Sequence, residues 1–175
     1  RLLQDAQGAA TGLTLYRKGD PVPLSDALPV LENFGLKVIN QDPSELKASD
    51  GSNWIQAFTL QPVALPTGTQ PRVARTNFEA AFLSVWAGES ESDGLNRLVL
   101  SSGLTARQVT ALRSIQTYLV QTSLPFGPGL MQGVFAANPL ISRRIVQLFE
   151  GRFDPALEDS KRAELVQEDS QALDE

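Results

Sequence analysis

Apolar side chains recur every three or four positions from Leu24 to Phe34, and this spacing predicts an amphipathic helix. The hydroxyl of Ser25 is expected to cap the N-terminus of this helix, and Gly35 provides the left-handed residue that ends it. Pro29 is expected in the first turn, where a missing backbone N–H costs little. The helix therefore has one face suited to pack against a sheet.

Three short apolar stretches predict strands. Two of them, 13–16 and 36–39, flank the helix and form a β-α-β module with it, and the third is 54–60. The polar segment 42–51 is expected to be turn material, and its Asp-Gly end predicts an antiparallel hairpin between the second and third strands. Residues 1–11 show little pattern and are expected to be a lead-in.

A second amphipathic helix is predicted to begin at the capping box Thr76–Glu79, after a proline-rich loop at 62–73, and to end at Gly88. The order of elements is then β-α-β-β-α, one strand short of a ferredoxin-like unit. The stretch Leu95–Leu100 favours a short helix capped by Asp93. Its leucines are also compatible with the missing fourth strand, so both alternatives stay open at this stage.

From Asp93 onward the pattern is one of short helices separated by glycine and proline. Three more helices are predicted, one from a capping box at Thr105–Gln108, one over 129–137 and one from Pro139 with Asn138 as its cap. The last of them is expected to bury Ile141, Ile145, Leu148 and Phe149. The ordered pattern ends at Phe153–Pro155, and a polar tail follows.

Composition excludes several classes of chemistry. The 175 residues include no cysteine and no histidine, which removes disulfides, thiolate chemistry and the commonest general base. The net charge of −5 arises in the tail, because residues 158–175 hold seven acids and two bases. A neutral body with an acidic tail argues against a nucleic-acid surface. With no membrane-spanning run and no signal-peptide pattern, the expected location is cytoplasmic.

An acidic run imitates the start of a calcium-binding loop. Glu89, Glu91 and Asp93 alternate before Gly94, but Leu100 stands where such a loop needs a bidentate glutamate. We therefore predict a helix end and a helix cap, and no metal site. No dinucleotide fingerprint is present either, since the glycines at 127, 129 and 133 follow no predicted strand and are expected to provide loop flexibility.

The turn from the first strand into the first helix is the strongest candidate for ligand or partner contact. Lys18, Gly19 and Asp20 form this turn, and Ser25 follows at the helix start. Backbone N–H groups at a helix N-terminus attract carboxylates and phosphates. A plain strand-to-helix turn explains the same residues. The two tryptophans, at 54 and 86, fit apolar stripes and are expected in the core.

Two stretches resemble the large bacterial NAD-specific glutamate dehydrogenases. One is LYRKGDPVPLSDALPVLENFGLKVI, from Leu15 to Ile39, and the other is Phe78–Gln121, which contains the run E-S-D-G-x-N-R-L. The closing segment Val146–Pro155 is also similar to that family. The sequence departs from the family pattern at three positions, Ala106, Gln108 and Val120, where a tryptophan, an acid and a basic residue are expected.

The resemblance implies an α+β fold, an ACT-like (ferredoxin-like) β-α-β-β-α unit followed by a small all-helical segment. It implies an ACT-like regulatory domain at 1–92, a helical motif at 93–155 and an acidic polar tail at 156–175. In such a protein this segment regulates or scaffolds, and the oxidative deamination of L-glutamate to 2-oxoglutarate with NAD takes place in a domain outside it. No catalytic or cofactor-binding residue and no metal ligand is then expected here.

The resemblance also implies the partners. They are the rest of the parent polypeptide, a homo-oligomer of the parent and an amino-acid effector, with no nucleic acid and no membrane. The opening on Arg1 in place of methionine suggests an excerpt of a longer chain. A free-standing amino-acid-binding or protein-interaction module is the alternative hypothesis.

Overall fold

The computed structural model describes residues 1–49, 51–122 and 125–174. The chain divides into two compact units, Arg1–Ala106 and Arg107–Glu175. The first unit contains four strands, whose bounds are β1 Leu2–Gln4, β2 Ala10–Lys18, β3 Val38–Ala48 and β4 Gly51–Val63. It also contains α1 (Leu24–Asn33), α2 (Pro71–Trp86), a 3₁₀ turn at Gly94–Arg97 and the short α3 (Leu98–Ser101).

The four strands form one sheet in the order β1-β2-β4-β3, in which every neighbouring pair is antiparallel. Strands β2 and β3 therefore run parallel with β4 between them, and α1 connects them. This split β-α-β arrangement is the ferredoxin-like pattern. It confirms the predicted α+β class and the antiparallel pairing of the second and third strands.

The core of this unit lies between the sheet and α1 and α2. Leu31 of α1 is fully buried, and Leu13 and Phe58 of the sheet expose no more than 2 % of their surfaces. The rings of Phe34 and Phe78 meet edge to face, with centroids 5.1 Å apart. An aromatic stack then continues along α2 from Phe78 through Phe82 to Trp86, but Trp86 is at the surface and is not a core residue.

The fourth strand comes from the N-terminus. The prediction of a lead-in at residues 1–11 is wrong, because β1 pairs with β2 and places the buried Leu2 opposite Leu13. A turn follows in which the Asp5 carboxylate accepts hydrogen bonds from backbone N–H groups and Gly8 has a φ of +85°. Three residues of strand are too few to show a period of two, so the pattern gave no signal.

The β3–β4 hairpin is longer than the pattern predicted. Residues 42–48 are strand and not turn, and the pairing runs from Val38 opposite Leu60 to Ala48 opposite Gly51. Residue 50, half of the predicted Asp-Gly turn, lies outside the described residues. Strand β3 is at the sheet edge and mostly exposed, which explains its polar sequence and its tolerance of Pro43.

Helix α1 begins one residue earlier than its predicted cap. Leu24 is already helical and Pro23 precedes the helix, so Ser25 does not cap it, and the Ser25 hydroxyl donates instead to the Asp26 carboxylate at 3.1 Å. Pro29 lies in the second turn and not in the first. The predicted end is confirmed, because Gly35 has a φ of +78° and the next N–H returns to the carbonyl of Leu31.

Helix α2 also begins before its predicted start. Pro71 occupies its first turn, so 71–73 is helix and not loop. The residues of the predicted capping box lie inside the helix, where Thr76 donates to the Arg72 carbonyl at 3.0 Å and Glu79 accepts the Leu2 N–H at 3.0 Å. The same two side chains therefore bind the helix backbone and the edge of β1.

The segment after α2 is helical, as the favoured alternative predicted. Asp93 accepts the Leu95 N–H at 3.0 Å and so caps the 3₁₀ turn. Leu95, Leu98 and Leu100 are buried to within 1 %, and Gly103 closes the segment with a φ of +73°. These leucines belong to the compact unit that contains the sheet.

The remaining helices are α4 (Ala106–Gln121), α5 (Pro128–Ala137), α6 (Pro139–Phe153) and α7 (Asp159–Asp174). Helix α5 matches the predicted segment, and it includes Gly129 and Gly133, so those glycines do not serve a flexible loop. The Asn138 side chain donates back to the Val134 carbonyl and does not cap α6. Helix α7 was not predicted, because its strongly polar sequence has no clear apolar stripe.

Helix α6 buries a different face from the predicted one. Ser142, Val146 and Gly151 are buried, whereas Ile141 and Phe149 are exposed. Two small residues therefore allow close packing on this face, where Ser142 donates to the Phe135 carbonyl at 2.7 Å. The hydrophobic pattern alone pointed to the bulkier side chains.

Candidate functional site

The predicted contact turn lies at one end of the sheet, directly after β2. Lys18 is the last residue of β2, and Gly19 has a φ of +92°, which favours glycine. The Gly19 N–H donates to the Ser52 carbonyl at 2.9 Å, so the start of β4 holds the turn in place. Lys18, Gly19 and Asp20 are exposed and form one continuous surface segment.

Ser25 lies apart from this turn, in the first turn of α1, and it is exposed. The first helical hydrogen bonds run from the Asp26 and Ala27 N–H groups to the Pro23 carbonyl. Pro23 precedes the helix and offers no N–H to a ligand, and Asp26 adds a negative charge to the first turn. Both features oppose the binding of an anion at a helix N-terminus.

A buried glutamine fixes the segment between the turn and α1. The Gln56 side chain of β4 is 1 % exposed, and it accepts the Val22 N–H and donates to the Val22 carbonyl, each at 2.8 Å. A primary amide can make both bonds at once because it carries a donor and an acceptor side by side. The path of residues 19–23 is thus tied to β4 at Ser52 and at Gln56.

Beside this segment, three side chains share one rank across the sheet. The register places Arg17 of β2 and Glu45 of β3 on either side of Trp54 of β4. Trp54 is half-buried, whereas Arg17 and Glu45 are exposed, and Glu45 accepts the Ser52 hydroxyl at 2.5 Å. We call Arg17, Trp54 and Glu45 the charged rank.

The charged rank presents a cation and an anion separated by two strand spacings, roughly 10 Å at the backbone, with an indole ring between them. Such an arrangement matches a small zwitterion, whose carboxylate suits a guanidinium and whose ammonium suits a carboxylate. The hydrophobic pattern does not reveal the charged rank, because it predicts a turn at Glu45 and a core position for Trp54.

A cavity with mixed chemistry lies between α4 and α6 of the second unit. It measures about 440 Å³ and is lined by Arg107 of α4 and by Phe149, Glu150 and Phe153 of α6. The two rings are 5.0 Å apart, and the Gln108 side chain donates to Glu150 at 2.9 Å. Three arginines of the same helix, Arg143, Arg144 and Arg152, are exposed, and the Arg152 guanidinium lies 6.0 Å from the centroid of the Phe153 ring.

Among the residues that the structure describes, no group of three or more His, Cys, Asp or Glu side chains is placed to hold a metal ion. Asp93, the third acid of the calcium-like run, is occupied with capping. Across the same described ranges, no helix is both long enough and apolar enough to cross a membrane.

Two family models match the chain. The model of the glutamate dehydrogenase ACT3 domain matches residues 2–69, and the model of glutamate dehydrogenase helical motif 3 matches residues 90–155. The first match covers the whole four-stranded sheet. The second begins before the Asp93 cap and ends just after α6.

Curated relatives agree with both models. The NAD-specific glutamate dehydrogenase of Halomonas elongata is 40 % identical over 157 residues, which are 89 % of this chain and 10 % of the relative. The enzymes of that name from Pseudomonas aeruginosa and Mycobacterium tuberculosis are 36 % and 33 % identical, over 79 % and 87 % of this chain and 9 % and 10 % of their own lengths. The chain thus spans about a tenth of these relatives.

Proposed function

Because this chain belongs to the NAD-specific glutamate dehydrogenase family and is a segment carrying its ACT3 domain and helical motif 3, we propose that it regulates and scaffolds a large NAD-dependent enzyme. The main support for this proposal is that the chain, with both modules, corresponds to only about a tenth of the length of its relatives. In this proposal, oxidative deamination of L-glutamate to 2-oxoglutarate occurs in another part of the parent. NAD binds in that other part as well.

We propose that this segment itself contributes no catalytic residue. Hydride transfer to NAD needs a bound dinucleotide, and the glycine pattern that cradles its pyrophosphate does not occur here. The side chains gathered at this end of the sheet are suited to binding a ligand and to holding a loop in place.

Purified 175-residue chain is expected to show no glutamate-dependent reduction of NAD, measured as NADH absorbance. The full-length parent assayed at the same molar concentration is the positive control. Turnover by the pure segment would contradict the assignment of catalysis to another domain. A parent that lacks glutamate-dependent NADH formation would contradict the proposed activity of the whole enzyme.

We further propose that the charged rank and the Lys18–Asp20 turn bind an amino-acid effector. Arg17 would pair with the effector carboxylate, Glu45 with its ammonium, and the Trp54 indole would lie beneath its side chain. The turn supplies exposed backbone next to the rank, held by the bond from Gly19 to Ser52. Ser25 lies in the adjoining helix turn and is the most distant of the predicted contacts along the chain.

The effector proposal is tested by titrating the parent with each of the standard amino acids while following thermal melting and turnover. We expect one class to raise the melting temperature and change turnover, and Arg17→Gln to abolish both effects. Arg72→Gln, which removes an exposed cation from α2, is the matched control and should leave them unchanged. Equal responses of both variants, or no response of the parent to any amino acid, would contradict this site.

A further inference from the structure

Helix α5 carries apolar side chains on two sides. Its interior side holds Met131, which is buried, and the Gln116 side chain of α4 donates to the Pro128 carbonyl at its start. Its other side exposes Leu130 and Val134, with 58 % and 52 % of their surfaces in solvent. A helix that is apolar all round is normally enclosed by other protein.

Residues close to α5 in the chain are also apolar and exposed. Phe126, four residues before Leu130, is 50 % exposed, and Leu140 and Ile141 at the start of α6 are 70 % and 51 % exposed. We call the set Phe126, Leu130, Val134, Leu140 and Ile141 the α5 surface. A cluster of large apolar side chains of this kind marks an interaction site on a soluble protein.

The same part of the chain is depleted of charge. The 29 residues from Ser114 to Ser142 include no Asp, Glu, Lys or Arg, although a fifth of the whole chain is charged. An exposed helix normally places charged residues on its solvent side. Depletion of charged residues and enrichment of apolar ones is the composition of the buried centre of an interface. Exposed arginines, Arg143 and Arg144, follow directly and would form its rim.

We propose that the α5 surface is covered by a segment of the parent polypeptide that lies outside these 175 residues. The chain spans about a tenth of its relatives, so most of the parent is available to cover it. An uncharged surface needs a permanent partner, and a covalently linked segment provides one through its high effective concentration. This inference rests on the proposed function, and it names the surface through which the scaffold attaches.

The test uses the full-length parent with a photoreactive phenylalanine analogue in place of Leu130. After irradiation of the native enzyme, denaturing electrophoresis and peptide mass spectrometry identify the segment that is cross-linked. We expect a peptide from outside residues 1–175 of the same polypeptide. A linked peptide from a neighbouring protomer would overturn the proposal in favour of an interface between subunits. A link between two copies of 126–141, in a band of doubled mass, would overturn the proposal in favour of self-pairing.

The matched control carries the same analogue at Gln167, an exposed position of α7. This control should give little cross-linked product. Equal cross-linking yields at positions 130 and 167 would show that the analogue at position 130 does not mark a defined interface, and this result would overturn the proposal. In parallel, Leu130→Glu should lower the melting temperature of the parent and increase binding of a hydrophobic dye, whereas Gln167→Glu should do neither. Fast amide exchange over 128–137 in the parent, with no cross-link, would also overturn it.

These readouts are separate from catalysis. A parent without glutamate-dependent turnover would defeat the proposed function and leave the cross-link result intact. A parent with normal turnover and no linked external segment would defeat only the present inference.

Discussion

Replacing Gln56 should loosen the segment that leads from the contact turn into α1. The Gln56 amide is 1 % exposed and makes two bonds of 2.8 Å with the backbone of Val22. Gln56→Leu keeps the approximate volume and removes both partners. The N–H and the carbonyl of Val22 are then left without their hydrogen bonds in a region where the Val22 side chain is also buried.

The loss of folding free energy follows from the two backbone groups of Val22 that lose their hydrogen-bond partners. A buried donor or acceptor that loses its partner costs about 1–3 kcal/mol, so two of them cost about 2–6 kcal/mol. The leucine recovers part of this through apolar burial, so we expect a net loss of about 2–4 kcal/mol. Urea unfolding of the 175-residue chain measures it, and Gln61→Leu, at an exposed position of β4, is the control.

Gln56→Glu adds a pH-dependent test. Only the protonated form of the introduced carboxyl can donate to the Val22 carbonyl, and burial also favours the neutral form. The pKa of that carboxyl should therefore rise above its unfolded value of about 4.3. A raised folded pKa gives stability that is present below the unfolded pKa and is lost as the pH rises through the folded pKa. The variant should approach the wild-type stability in acid and fall away towards neutrality. A constant difference across pH, or a Gln56→Leu variant as stable as wild type, would refute the reasoning.

Three further substitutions probe other parts of the first unit. Leu31→Ala removes a fully buried side chain and should cost about 2–5 kcal/mol in urea unfolding, and no loss would contradict packing of α1 on the sheet. Leu98→Ala should cost a similar amount, whereas a small loss would show that α3 is peripheral to the core. Asp93→Ala should cost about 0.5–2 kcal/mol, and calcium should leave the melting temperature unchanged; a saturable calcium-dependent rise would point to metal binding at the acidic run.

Local sequence signals were a sound guide for α1 and for the short helix that follows α2. The α1 stripe, the Gly35 stop and the short helix at Leu95–Leu100 each matched the structure, because one apolar face and one left-handed glycine suffice to define them. The predictions failed where tertiary contacts decide. The three residues of β1 form a strand only because β2 lies beside them, and β3 is polar because it is an exposed edge.

Helix starts were predicted less well than helix ends. Thr76 and Glu79 have the spacing of a capping box, yet Pro71 starts the helix earlier, and both side chains find other partners. Spacing along the chain cannot reveal that the Glu79 carboxylate is needed at the edge of β1. The same limit applies to the candidate site, where Lys18 and Gly19 were found from local pattern and the charged rank depends on strand register.

The packing of residues 94–101 against α1 and α2 has a consequence for exchanging parts between related enzymes. The helical motif 3 model begins at residue 90, but the compact unit that contains the sheet continues to Ala106. A chimera joined near residue 90 would combine Leu95 and Leu98 from one ancestor with α1 and α2 from another, and so mix two halves of one core. A junction after Ala106 takes the whole core from one parent enzyme. Recombination between related genes would therefore disturb the core least at this point.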